Sequence, residues 1–114
     1  MDSVTKAEEA AEDATISAIM AGLESYAMGK LMENGRRSWP TDPWNALETK
    51  PAGYANTDAD PTDDGQWRFN TGTANIVHMR NDGTLWHWDY TKGTNAGGNS
   101  DVVGSMDARE SGAN

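Results

Sequence analysis

SVTKAEEAAEDATISAIMAGLESYAMGKLMEN, residues 3–34, decides how the rest of the chain must be arranged. At about 100° per residue, Ile16, Ile19, Met20, Leu23, Tyr26, Ala27 and Leu31 fall on one broad stripe, the mark of a helix buried along one side. Some 32 residues rising 1.5 Å each would make a rod of roughly 48 Å, longer than a domain of this size is wide. Part of the rod is therefore expected to stand clear of the globule. Continued toward the N-terminus, the apolar side meets Glu8, Glu9 and Glu12, acids that are rarely buried without partners. The segment before about residue 14 is thus expected to be solvated. On the opposite side Ala7, Ala11, Ala18, Gly22, Ser25 and Gly29 form a seam of small residues. Each mid-helix glycine costs about 1 kcal/mol relative to alanine, so the seam reads either as a surface for close helix approach or as a tolerant exposed face. The stop is clear: Asn34-Gly35 suits a left-handed cap, and Arg36 and Arg37 follow at the negative end of the helix dipole. At the other end, Thr5-x-x-Glu8 matches a capping box, while the alanine-rich stretch around it suits the interior of a longer helix equally well.

Working outward, 114 residues with 36% hydrophobic content suit one domain with one modest core. Eighteen acidic against nine basic residues give a net charge of -9, which repels phosphate backbones and anionic membrane surfaces, so nucleic acid is not an expected partner. The absence of cysteine excludes disulfides, thiol catalysis and cysteine metal sites. No apolar run approaches the ~20 residues needed to span a bilayer.

Three parts of a single domain follow: the helix at 1–35, a loop and antiparallel sheet at 36–91, and a flexible glycine- and asparagine-rich tail at 92–114, with one short strand near Asp101 to Val103. Residues 35–65 hold all four prolines and read as a long loop tied down by Trp39, Trp44 and Tyr54, with a helical turn at Asn45 to Leu47. Gln66 to Asn70 alternates large apolar with polar residues and is bounded by Gly65 and Gly72, which predicts a strand. Ala74 to Asn81 and Thr84 to Thr91 flank Asp82-Gly83, the preferred pair for a two-residue hairpin turn. With Asn81 opposite Thr84, Met79 faces Trp86, Val77 faces Trp88 and Asn75 faces Tyr90, giving one largely apolar face for the helix to cover. A three-residue loop would put His78 opposite Trp86 and mix the faces, so the first register is expected. The fold class predicted is α+β, a long N-terminal helix on a small antiparallel sheet of three or four strands.

A second line of reading rests on Trp39-Pro40-x-Asp42-Pro43-Trp44-x-x-Leu47, Lys50-Pro51-Ala52-Gly53-Tyr54 and Gly65-Gln66-Trp67-Arg68-Phe69-Asn70, followed by the hydrophobic strand Ala74 to Arg80. Together with the projecting helix, over roughly residues 10 to 90, this resembles the type IV pilin and pseudopilin family, in particular minor pilins of the mannose-sensitive haemagglutinin type. The resemblance implies a pilin-like fold in which residues 1–35 are the soluble half of a longer helix. The family's processing site, first mature phenylalanine, early acidic residue and apolar half-helix do not occur in this sequence. It further implies a structural subunit of a pilus or secretion pseudopilus, partnered by other pilin subunits and anchored in the inner membrane by that apolar half before assembly, in the periplasm or at the cell surface. On that reading Ala18, Gly22, Ser25 and Gly29 face neighbouring subunits.

Other chemistry is thinner. His78 and His87, expected as cross-strand neighbours, could share a metal but have no evident third ligand. Asn56-x-Asp58-x-Asp60 begins like a calcium loop, yet position six is Pro61 and position twelve is Trp67, so the EF-hand form fails. Asp58, Asp60, Asp63 and Asp64 remain candidate calcium ligands, since some pseudopilins hold Ca²⁺ with aspartates, against a plain solvated acidic turn; no other cofactor is expected. No nucleophile elbow, phosphate loop or zinc-protease helix occurs, so an enzyme is not expected. The competing class is a secreted carbohydrate-binding module in which Trp39 and Trp44 form a sugar-stacking platform.

Overall fold

A computed structural model describes all residues except Met1, 52, 53, 55, 58, 95–99 and 114, with backbone alone at 2–5, 56 and 57. Helix α1 (Asp2–Asn34) runs for 33 residues. At 1.5 Å per residue its length is about 50 Å, and the molecule's longest dimension is 49 Å. The helix stops where expected: Gly35 takes φ 80 and its N–H donates to Leu31 O at 2.9 Å.

The apolar stripe is the buried side, with Ile19, Leu23 and Ala27 enclosed and Ile16 and Met20 packed against them. The two ends of the stripe reverse the expectation. Leu31 is 39% exposed and Met32 85% exposed, so the uncovered end of the rod is the C-terminal one. At the N-terminal end Glu12 is only 1% exposed, and Glu8 accepts a hydrogen bond from Asn81 N at 3.2 Å. Glu12 is covered because the sheet supplies His78 and Arg80 to meet it, whereas the Glu9 side chain stays 44% exposed.

The loop after α1 is tied down as its aromatics suggested. Trp39 and Trp44 are buried, and Trp39 stacks on Tyr90 with ring centroids 5.8 Å apart. The Tyr90 hydroxyl donates to Pro40 O. The helical turn is a 3₁₀ turn at Pro43–Ala46, slightly earlier than expected, because Asp42 caps it through Oδ1 from Trp44 N (2.9 Å) and Pro43 occupies its first position.

The sheet contains β1 (Asn56–Thr57), β2 (Trp67–Asn70), β3 (Asn75–Met79), β4 (Leu85–Thr91), β5 (Ser105–Met106) and β6 (Glu110–Ser111). The order is β1-β2-β3-β4-β5, with β6 also paired to β4. β1 runs parallel to β2 and every other pairing is antiparallel. The sheet is therefore the expected β2-β3-β4 antiparallel centre widened by two-residue pieces at its margins.

The hairpin register is the one set aside on the sequence. His78 pairs with Trp86, Ile76 with Trp88 and Met79 with Leu85. The loop has three residues, because Arg80 N donates to Thr84 O and Gly83 N to Arg80 O, both at 2.9 Å. A two-residue type I′ turn needs positive φ at both Asp82 and Gly83. Here only Gly83 takes it, at φ 82. The Asp82 carboxylate accepts instead from Thr84 N (2.9 Å) and Thr84 Oγ1 (2.6 Å), which holds the aspartate in an ordinary conformation. In consequence Ile76, His78 and Arg80 share the helix side with Trp67, Phe69, Trp86, Trp88 and Tyr90, whereas Asn75, Val77 and Met79 lie on the far face.

The tail also departs from expectation. Around Val102 there is one bridge, to Thr94, and beyond it β5 and β6 pair with β4. Met106 packs against the core and Arg109 reaches α1.

Candidate functional site

Glu12 sits one turn before Ile16 on the buried stripe, so the face that packs on the sheet begins with a carboxylate. Arg80, at the end of β3, grips it as a fork: Nε donates to Oε2 at 3.1 Å and Nη2 to Oε1 at 2.8 Å. His78 donates through Nδ1 to Oε2 at 2.5 Å, and Arg109 from the C-terminal segment adds an ion pair at 3.1 Å. Around this centre Arg109 also meets the Asp13 carboxylate and Glu9 O. The Arg80 guanidinium lies 4.2 Å over the Trp86 ring and that of Arg109 5.8 Å over Trp88.

Burial by itself would raise the Glu12 pKa, but the hydrogen bonds from His78 and Arg80 outweigh it and hold the carboxyl below its usual range. Glu12 in turn raises the pKa of Arg80. With the Glu12 side chain fully enclosed, nothing from solvent reaches the carboxylate. The arrangement is a fastening that fixes one rotation and one height of α1 on the sheet. The sequence does carry a sign of it in an acid on the core stripe, but the partners lie 66, 68 and 97 positions away and nothing local announces them.

The helix seam divides. A Cβ on Gly22 would collide with Leu47 Cδ2 and come within 3.0 Å of Ala46 O, so its close approach is to the molecule's own 3₁₀ turn. Gly22 thus has a close neighbour within its own molecule, which by itself accounts for the glycine. Ala18, Ser25 and Gly29 are exposed, and nothing lies within 4 Å of a Cβ built on Gly29. An open groove runs between this strip and residues Asn45 to Pro51.

The candidate calcium ligands do not gather. Asp58 lies outside the described residues; the Asp60 carboxylate accepts from Asn70 Nδ2 at 2.8 Å, and Asp63 and Asp64 are exposed. Among the described residues these aspartates form no set of three ligands. His78 and His87 fall on opposite faces of the sheet, because the register places His87 opposite Val77, so they cannot share an ion. His87 is near Asp89 and Glu110 instead. Trp39 and Trp44, the sugar-platform candidates, are 3% and 1% exposed and present no ring to a ligand. No family model, curated protein or solved structure matches this chain.

Proposed function

We propose that the chain is the globular part of a filament subunit of the type IV pilin or pseudopilin kind, a structural rather than catalytic protein. The observation that carries this reading is α1 itself: a 33-residue helix along a 49 Å molecule with one side enclosed by the sheet. Its outward side is a strip of small exposed residues, including Ala14, Ala18, Ala21, Ser25 and Gly29. A helix needed only to close the core would have no use for its overhanging final turns. Small residues let a second helix approach closely, the packing a filament core requires. Partners are then other subunits of the same filament, at the periplasmic face or the cell surface. No helix among the described residues is long and apolar enough to cross a membrane, so anchoring would fall to an apolar extension of α1.

The chain has no cysteine, so single cysteines report cleanly on neighbours. Ser25→Cys and Gly29→Cys would be placed in the full-length subunit in its own cells, with Thr73→Cys, on an exposed turn beyond β2, as the control. Sheared surface filaments and envelope fractions are then treated with a short bifunctional thiol reagent. Crosslinked oligomers from the helix positions and not from the turn are expected. Absence of the subunit from filaments and envelope alike would overturn the assignment.

A further inference from the structure

We propose that His87, Asp89 and Glu110 form a binding site for one divalent transition-metal ion of the zinc class, joining the C-terminal strand to the sheet. The placement follows from strand geometry. His87 and Asp89 are two apart on β4 and so share a face, and β6 sets Glu110 directly opposite His87. One ligand atom from each of the three lies within 4.8 Å of the others.

The hydrogen bonding of the imidazole is the second observation. His87 is 2% exposed, and its Nδ1 lies 2.9 Å from Gly112 O. A carbonyl oxygen only accepts, so Nδ1 carries the proton and the Nε2 lone pair points the other way. Nε2 then faces Asp89 Oδ1 at 3.6 Å and Glu110 Oε2 at 3.9 Å, both acceptors. A neutral ring gains nothing from that arrangement, and an imidazolium would draw a carboxylate in to about 2.7–2.9 Å. A cation between the three atoms satisfies all of them. Zinc ligands about 2.1 Å from the metal at tetrahedral angles lie about 3.4 Å from one another, so the observed spacings need only small side-chain rotations to close. A ring nitrogen held by a backbone carbonyl is the usual orientation of a metal-binding histidine. One imidazole and two carboxylates balance a dication and leave a fourth position for water. Asp89 and Glu110 are 43% and 58% exposed at their side chains, so the ion enters from solvent and meets the buried nitrogen last.

An imidazole ligand favours zinc, nickel or copper over calcium, which takes oxygen. The test is equilibrium dialysis of the chain, free of any affinity tag, against Zn²⁺ and separately Ca²⁺, with the bound metal quantified. One Zn²⁺ per chain is expected, with affinity reduced at least tenfold in Asp89→Asn and in Glu110→Gln. Glu110 is exposed and Asp89 half-buried, and circular dichroism checks that both variants keep their fold. His87→Gln, checked by circular dichroism, is expected to lose the ion, whereas His78→Gln retains it. Zinc should also slow proteolysis of residues 100–113 in the parent protein and not in Glu110→Gln. Zinc bound equally by parent, Asp89→Asn and Glu110→Gln would overturn the site, as would no zinc at all, or Ca²⁺ bound as tightly as Zn²⁺ and lost in the same variants.

Discussion

Glu12 shows what a single residue decides in this molecule. Replacing it with glutamine keeps the shape but leaves buried Arg80 with only the half-exposed Glu9 carboxylate, 4.0 Å away, as counter-charge, and breaking a buried pair from one side costs about 3–5 kcal/mol. Glu12→Gln is expected to lose that much at neutral pH in urea unfolding. The sign of the pH dependence follows from the depressed carboxyl. A group whose folded pKa lies below its unfolded value contributes stability above the unfolded pKa and loses it as pH falls through the folded one. The difference between parent and Glu12→Gln should therefore be level through neutral pH and narrow as pH drops below the ordinary carboxyl value of 4.5. A gap that stays constant into strong acid would mean that Glu12 is not ionised in the fold. Two glycines on the same helix give a sharper contrast. Gly29→Ala places a methyl in open space and should stabilise the isolated domain by up to about 1 kcal/mol, whereas Gly22→Ala drives a methyl into Leu47 and Ala46 and should cost about 1–3 kcal/mol. Thermal unfolding of the two variants separates an external seam from an internal one.

At the scale of elements, the hairpin turns on one backbone conformation. Gly83→Ala forces a side chain into the left-handed region and should cost about 1–2 kcal/mol by urea titration. Were the turn type I′, Asp82 would carry the same strain, and Asp82→Gly would then stabilise; here that change should destabilise, because it removes the Thr84 contacts. This turn is also where the sequence was most open to misreading. Asp-Gly is the strongest short signal for a two-residue loop, and the deciding term was a carboxylate bonding to Thr84. The apolar alternation of β4 was legible and put Trp86, Trp88 and Tyr90 on the helix side, but β3 has apolar residues on both faces, Ile76 on one and Val77 and Met79 on the other. Alternation alone could not orient it. The helix and its cap were legible because a 3.6-residue period over many turns leaves little ambiguity. β5 and β6 were not, being two-residue strands whose Ser105 and Glu110 carry no apolar pattern and whose pairing is set by β4. The Glu12 fastening and the His87 cluster were hidden for the same reason, since both borrow a residue, Arg109 or Glu110, from that stretch.

At the scale of the whole molecule, what stands out is where apolar surface remains uncovered. Met28, Leu31 and Met32 are exposed on the last turns of α1, and Leu31 shares a shallow depression with Val102 and Val103, both also exposed. On a chain with net charge -9, like-charged copies gain little by meeting elsewhere, so an apolar end of the rod is where a neighbouring subunit would gain contact area. Leu31→Ser combined with Met32→Ser removes apolar atoms that are 39% exposed at Leu31 and 85% exposed at Met32 in the isolated fold. Met32→Ser should alter unfolding free energy by no more than about 0.5 kcal/mol, and Leu31→Ser by about 1 kcal/mol. In the filament reading the same double variant should be depleted from sheared filaments or envelope assemblies while accumulating normally in the cell, as measured by immunoblot of the two fractions. The two readouts must move separately for the inference to hold. Loss of stability beyond these amounts together with loss of incorporation would show that the end of α1 belongs to the core after all, and full incorporation with no such loss of stability would show that assembly does not use this end of the helix.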